Sequence, residues 1–252
     1  MNEIPSEPPT PISLEQLLCR DDLWMGHSQR FTTRAALDTG YEELNTSLLN
    51  QGWPLGSLVE VCQQGMQGEW QLFTPSLLRL PGMIVLLNPP ASPFAQAFIQ
   101  AGIDLERLLV VAVANKKDFI AGFIELSRAS IGAVLAWQPD ESMTYTELRK
   151  CQLAASEGTG ISVMFRPASA QQQSSPATLR IYAQIVSIGL EITVFKQKGR
   201  LQTHQIKPIV LRLPEKWQPV LPYHALNRNA SKTKQEVRPL PLASVTPLRG
   251  KT

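Results

Sequence analysis

The chain has 252 residues, with 24 lysines and arginines against 21 aspartates and glutamates and a net charge of +3. That length buries a full core and favours one large domain with tails, and so small a net charge does not by itself argue for nucleic-acid binding. No apolar run reaches the ~18 residues of a membrane span, so a soluble, cytoplasmic chain with no membrane partner is expected.

The opening residues, MNEIPSEPPTP, are acidic and proline-rich, the opposite of a signal peptide. Residues 1–31 read as a partly disordered extension, with a short helix at Leu14–Leu18 capped by Ser13. Asp21–Arg34 is loop-like, and Thr39–Leu49 reads as a helix leading into Gly52. A strand at Ser57–Cys62 and a helix at Leu72–Leu80 follow, then a strand at Met83–Leu87 that ends in Asn88-Pro89-Pro90. Pro93–Ala101 has helical spacing, with Phe94, Ala97, Phe98 and Ala101 on one face. Leu108–Val113 reads as a strand. Lys116–Ser127 is an amphipathic helix with Phe119, Ile120, Phe123 and Ile124 inward. Ala133–Trp137 is a strand, Thr144–Glu157 a helix with Gly158 suited to its C-terminal cap, and Ile161–Phe165 a strand. Arg166–Pro176 is a polar, glycine-free loop. Thr178–Ser187 and Leu190–Lys196 alternate as antiparallel strands around Ile188-Gly189, and Ile209–Leu213 makes a last strand. Strands alternating with helices, then a run of strands, predict an α/β fold with a mostly parallel sheet and an antiparallel C-terminal edge.

The segment Val59–Pro75, VEVCQQGMQGEWQLFTP, has the layout of a phosphate-binding strand, loop and helix without the phosphate chemistry. A working P-loop reads GxxxxGK(S/T). Its glycines let backbone N–H groups wrap the anion, its Lys reaches the phosphates and its hydroxyl binds Mg²⁺. Here Gln63 stands at the first glycine, Gly65 lies inside the loop, and Gly68 fits the second glycine. Glu69 replaces the Lys and Trp70 the Ser/Thr. Glu69 has the wrong sign for a triphosphate, a repulsion on the order of several kcal/mol in an enclosed site. The strand Ala133–Trp137 stands where a Walker B strand would end in an acid. It ends instead in Ala136-Trp137, and Asp140 arrives only after Gln138-Pro139, where it reads as a turn residue.

The flank Ala36–Val61, ALDTGYEELNTSLLNQGWPLGSLVEV, resembles the RecA family's approach to its P-loop. Within that superfamily GWPLGSLVEV, AGIDLERLLVV, GAVLAWQP, LRKCQLAASEGTGISVMFRP and LEITVFKQKGR resemble the ImuA family. Those proteins accompany an SOS mutagenesis cassette with the Y-family-like protein ImuB and a DnaE-type polymerase. Trp70-Gln71-Leu72, AGIDLERLLVV, Ala136-Trp137 and the FRPASA of Phe165–Ala170 also resemble SulA, the cell-division inhibitor. The resemblance covers about Thr32–Pro214. It implies a RecA-like core over 32–214 that has lost its nucleotide machinery and needs no cofactor or metal.

Residues 215–252 form the remaining unit, a basic stretch expected to be flexible. Lys216, Arg228, Lys232, Lys234, Arg238, Arg249 and Lys251 face only Glu215 and Glu236. Trp217, Leu221, Tyr223, Leu240 and Leu242 are apolar anchors in it, so it reads as a docking peptide, with a solvated tail and a DNA-phosphate tether as the other readings. In the core, Trp137 at a sheet's carboxyl edge is a candidate partner contact. Arg166 reads either as an interaction or structural arginine, or as one pairing a local acid such as Glu157. Lys196, Lys198 and Arg200 share one strand face, either a basic edge that blocks pairing or a phosphate stripe.

No nucleophile–base pair is visible. His27, His204 and His224 stand isolated, and Cys19, Cys62 and Cys151 lack metal spacing. An enzyme is not expected. The ImuA resemblance implies an accessory factor of SOS-induced translesion synthesis, bridging an ImuB-like subunit and RecA, with self-association possible and DNA touched weakly or indirectly. The SulA resemblance implies instead a division inhibitor that binds FtsZ.

Overall fold

In the computed structural model, residues 35–65, 68–186, 189–199 and 207–212 are described. The helix expected at Leu14–Leu18, the N-terminal extension and the 215–252 tail lie outside them. Two short strands, β1 (Ala36–Leu37) and β2 (Trp53–Pro54), pair antiparallel. Between them lies α1, Glu42–Ser47, shorter than the expected Thr39–Leu49. The reason is local. Asp38 Oδ1 accepts the Gly40 amide at 2.9 Å and Thr39 Oγ1 accepts the Tyr41 amide at 3.1 Å, so side-chain turns claim the residues that would have opened the helix.

The main sheet has eight strands among the described residues. They are β3 (Ser57–Gln63), β4 (Met83–Leu87), β5 (Leu108–Val111), β6 (Gly132–Trp137), β7 (Ile161–Pro167), β8 (Leu179–Val186), β9 (Gly189–Gln197) and β10 (Ile209–Leu211). Their order is β10-β9-β8-β3-β7-β6-β4-β5. The six strands from β8 to β5 run parallel, and β9 and β10 add antiparallel pairs at the C-terminal edge. The expected α/β architecture, mostly parallel with an antiparallel edge, is therefore the one observed. β3 is buried along its whole length, because it pairs on both sides and is covered on both faces.

Helices cover both faces. α1, α2 (Thr74–Arg79) and α3 (Ala95–Gln100) contribute Leu44, Leu77 and Phe98 to one core, against Val59, Val61, Leu86, Leu135 and Phe165. α4 (Lys116–Arg128) and α5 (Tyr145–Glu157) contribute Phe119, Phe123, Leu148 and Cys151 to the other, against Leu58, Val134, Ala136 and Met164. The period-2 alternation of each strand sends neighbouring residues to opposite cores. Thr144 caps α5 with a reciprocal pair to Glu147, and Asn115 caps α4 through the Asp118 amide at 2.9 Å. Gly158 does follow α5, but its φ of −92° is not left-handed. A Cβ there would meet the Ser127 carbonyl oxygen at 2.0 Å, so the glycine serves the close approach of α4 and α5.

Two expectations shift. The helix expected at Leu72–Leu80 begins earlier, as a 3-10 turn at Glu69–Phe73 that runs into α2, where Pro75 suits the first turn. Phe94 does not face inward. It precedes α3 and is 70 % exposed, while Phe98 and Ala101 are buried as expected.

Candidate functional site: an aromatic cleft and a buried charge cluster

β4 continues into α3 on one face and its neighbour β6 into α5 on the other. Adjacent strands whose connections leave on opposite faces open a crevice at their carboxyl ends. A cleft of about 400 Å³ lies there. One wall is the β3–α2 junction, Gly68 to Gln71. The other is Pro89 to Phe98, and Leu86 and Trp137 complete the lining.

The walls are aromatic and fixed. Trp70 stacks on Phe98 with centroids 4.5 Å apart, and Trp137 stacks on Phe165 at 4.7 Å. Asn88 takes a left-handed φ of 55° just after β4. Its amide donates to Val111 O at 2.6 Å and its side chain to Trp137 O at 3.4 Å, which ties the ends of β4, β5 and β6 together. Gly68 has φ 107° at the start of the 3-10 turn, a conformation that strains any residue with a Cβ.

On either side of residues 66–67 stand the strand β3 and the 3-10 turn that runs into α2. Glu69 is buried, Trp70 half-buried and Gly65 half-exposed. The polar groups at this junction are incompletely paired. Among the described residues, the buried side-chain oxygens of Gln63, Gln71 and Thr74 have no hydrogen-bond partner. Each such group costs ~1–3 kcal/mol when nothing answers it. Asp140 is an exposed bend residue that does not line the cleft.

The opposite face of the sheet holds a different arrangement. Glu60, in the middle of β3, is fully buried. Its Oε2 accepts from Arg180 Nε at 2.7 Å and Arg166 Nη1 at 3.2 Å, and its Oε1 accepts from the Ser175 hydroxyl. Arg166 also reaches Gln138 Oε1 at 2.8 Å and Gln173 Oε1 at 2.9 Å. Arg180 reaches the carbonyls of Gln173 at 3.0 Å and Ala170 at 2.7 Å, and lies over the Phe195 ring at 4.9 Å. All six guanidinium nitrogens therefore have acceptors, and the 168–177 segment is held down over the cluster by its own carbonyls. Lys196 joins from β9, donating to Ser175 O. Burial, then the neighbouring Arg180, holds its pKa below the usual lysine value.

This placement corrects two expectations. Arg166 is 2 % exposed, so it is a structural arginine and not a surface contact, and its acid is Glu60. Glu157 is bound instead by Arg128 at 2.6 Å. Lys196 and Lys198 do not share a basic strand face, because β9 ends at Gln197 and Lys196 folds back onto Ser175. Arg200, Trp217, Leu221, Tyr223, Arg238 and Leu240 lie outside the described residues. The cluster escaped sequence reasoning, although a signal was present. Glu60 and Arg180 each interrupt an apolar strand at an inward register, where charged residues occur almost only when paired.

Cys62 and Cys151 are free and buried. Burial pushes their thiols up, to about 11 and about 12. Among the described residues no three His, Cys, Asp or Glu side chains gather as a metal site, and no helix is long and apolar enough to cross a membrane. No family model matches the sequence, and no curated protein matches it.

Proposed function

We propose that this chain is a non-catalytic accessory protein of SOS-induced translesion DNA synthesis, which recruits or bridges an ImuB-like polymerase subunit and RecA. One observation carries the reading. The β3–α2 junction has the sequence layout of a phosphate loop, yet Glu69 and Trp70 stand at the start of the 3-10 turn that follows it and an aromatic cleft lies beside it. An acid and stacked indoles disfavour a triphosphate there. The lack of an acid at the end of β6 agrees with this. Turnover is therefore not assigned to the chain, and the cleft and the tail serve contacts between proteins. The resemblance of GWPLGSLVEV and LEITVFKQKGR to ImuA supplies the pathway, and the basic tail with Trp217, Leu221 and Tyr223 supplies a docking peptide. The gain is effective concentration: a tethered polymerase meets its site at far higher local concentration than a free one.

The test is affinity purification of the tagged full-length protein from DNA-damaged cells, beside a version truncated after Pro214, with partners identified by mass spectrometry. Polymerase-cassette proteins or RecA, one of them lost on truncation, are the expected result. FtsZ recovered equally from both versions would favour the division-inhibitor reading and overturn this one. ATP turnover in a pure preparation, abolished by Gly68→Asp, would overturn the non-catalytic assignment.

A further inference from the structure

The two edges of the main sheet are built differently. β10, at one edge, has three residues, with Lys207 and Pro208 directly before it and Arg212 directly after it, all exposed. A short strand set between charges and a proline, which lacks the N–H, is how a sheet edge refuses a further strand. β5, at the other edge, carries none of these devices. It is Leu108-Leu109-Val110-Val111, it pairs with β4 on its inner side, and no strand among the described residues pairs with its outer side. Leu109 is 45 % exposed and Val110 44 %.

The direction of the backbone groups is fixed. Val111 O accepts the Asn88 amide at 2.6 Å, from the β4 side. Along a strand the N–H and C=O of one residue point to the same edge, and successive residues alternate. Leu109 and Val111 therefore turn their backbone groups to β4, and Leu108 and Val110 turn theirs outward. Side chains alternate between faces as well. Leu108 packs on the core of Leu44 and Phe165, and Val111 on the core of Phe119 and Met164. The outer edge thus offers hydrogen-bonding groups at two residues and one exposed apolar side chain on each face, Val110 and Leu109.

The flanks of β5 carry opposite charges. Before it stands Glu106, and after it, in the first turn of α4, stands Lys117, both exposed. Neither has an ion-pair partner among the described residues. The neighbouring charges are engaged. Asp104 accepts the Glu106 amide at 3.0 Å, Arg107 donates to the Gly82 carbonyl at 2.8 Å, Lys116 pairs with Glu147 at 2.9 Å, and Asp118 accepts from Asn115 at 2.8 Å. An antiparallel copy of β5 brings the acidic lead-in of each chain to the basic exit of the other. A parallel copy would set like charges together.

We propose that the outer edge of β5 is a self-association site, and that its occupant is β5 of a second copy, antiparallel about a twofold axis at Leu109. Leu108 of each chain then lies opposite Val110 of the other and exchanges backbone hydrogen bonds with it, and Leu109 lies opposite its own copy in a non-hydrogen-bonded pair. The two sheets join into one, and the twofold axis closes the assembly at a dimer. A strand of four residues makes a small interface, so the dimer is weak and concentration-dependent. Nothing in this depends on the translesion reading, since it concerns the purified protein alone.

The experiment uses the full-length protein carrying Cys19→Ser, which leaves the buried Cys62 and Cys151 as the native thiols. Sedimentation velocity over about 1–200 μM should show a monomer that passes to a dimer and no further. In that background Leu109→Cys should give a disulfide-linked dimer on mild oxidation, because the paired Cα atoms stand about 4.5 Å apart, within disulfide range. Leu105→Cys, exposed but outside the pairing, should not. Leu109→Lys, at an exposed position, should leave a monomer at every concentration, with circular dichroism to confirm the fold. Lys117→Glu should weaken the dimer about fivefold, since the axis makes each exposed pair count twice, and adding Glu106→Lys should restore it. A monomer throughout, a dimer that survives Leu109→Lys, equal disulfide formation at Leu105 and Leu109, or oligomers that grow past two would each overturn the proposal. A charge swap that fails to restore the dimer would overturn the antiparallel orientation.

Discussion

Two glutamates nine residues apart mark two regions of opposite character. Glu60 sits inside β3 on the α4–α5 face, where every oxygen and every guanidinium nitrogen around it has a partner. Glu69 opens the helix on the other side of the same loop, at a junction where Gln63, Gln71 and Thr74 hold buried oxygens with no partner among the described residues, and of these three Gln71 lines the cleft. A closed polar network gives a single arrangement and holds the 168–177 segment in place. An open one adjoining a cleft stores unmet hydrogen-bonding capacity that a ligand can fill. The charge cluster is therefore the part of the molecule that fixes shape, and the cleft is the part available for contact.

The sharpest way to break this contrast is to remove the carboxylate of the closed network. Glu60→Ala leaves two buried guanidiniums without their anion and should cost about 3–5 kcal/mol by urea denaturation. The triple replacement Glu60→Leu, Arg166→Met and Arg180→Met should recover most of that loss, since a packed apolar cluster substitutes well for a buried ion group. If the triple variant is as unstable as the single one, the cluster does more than hold the fold.

The matching change in the open region should go the other way. Gln71→Leu removes an orphaned oxygen and should leave stability unchanged or raise it by up to about 1 kcal/mol, read from the same denaturation curves. A loss of several kcal/mol would make the cleft as structural as the cluster.

A smaller effect concerns pH. Lys196 has a folded pKa below its unfolded value, so the unfolded state binds more protons between the two. The penalty is full below the folded value and is relieved as pH rises towards the unfolded value near 10.5. Stability should therefore rise with pH through that alkaline window, and Lys196→Met should flatten the rise.

The smallest perturbation is chemical. With Cys62 at about 11 and Cys151 at about 12, both buried, neither thiol should react with iodoacetamide at pH 8 in the native protein, and both should react once urea unfolds it. Rapid native labelling of Cys62 would show that the Glu60 face opens locally.

The fold was legible to the extent that hydrophobic period reports it. Runs such as Met83–Leu87 and Ile161–Phe165 read as buried strands, and the spacing of Phe119 and Phe123 placed α4. Boundaries were less legible where side chains competed with the backbone, as at Asp38 and Thr39, or where prolines delayed a helix, as before α3. That Glu69 and Trp70 stand where a phosphate loop has Lys and Ser/Thr was legible because residue identity is a local fact. Phe94 was not, because helical spacing assigns a face only to residues that are in the helix.

By itself, then, the sequence determined the alternation of strands and helices, the absence of a phosphate loop's chemistry and the basic, anchor-bearing character of the C-terminal stretch. These depend on neighbours within a few residues, where period, sign and composition suffice. The tertiary structure alone decided that Arg166 is buried against Glu60, 106 residues away, and that Lys196 turns inward onto Ser175. It alone brought Trp70, Phe94 and Trp137 around one cleft at the carboxyl edge of the sheet. Those contacts follow from strand order and register, which place β3 between β7 and β8 and set β4 beside β6. Residues distant in the chain meet only once that order is made.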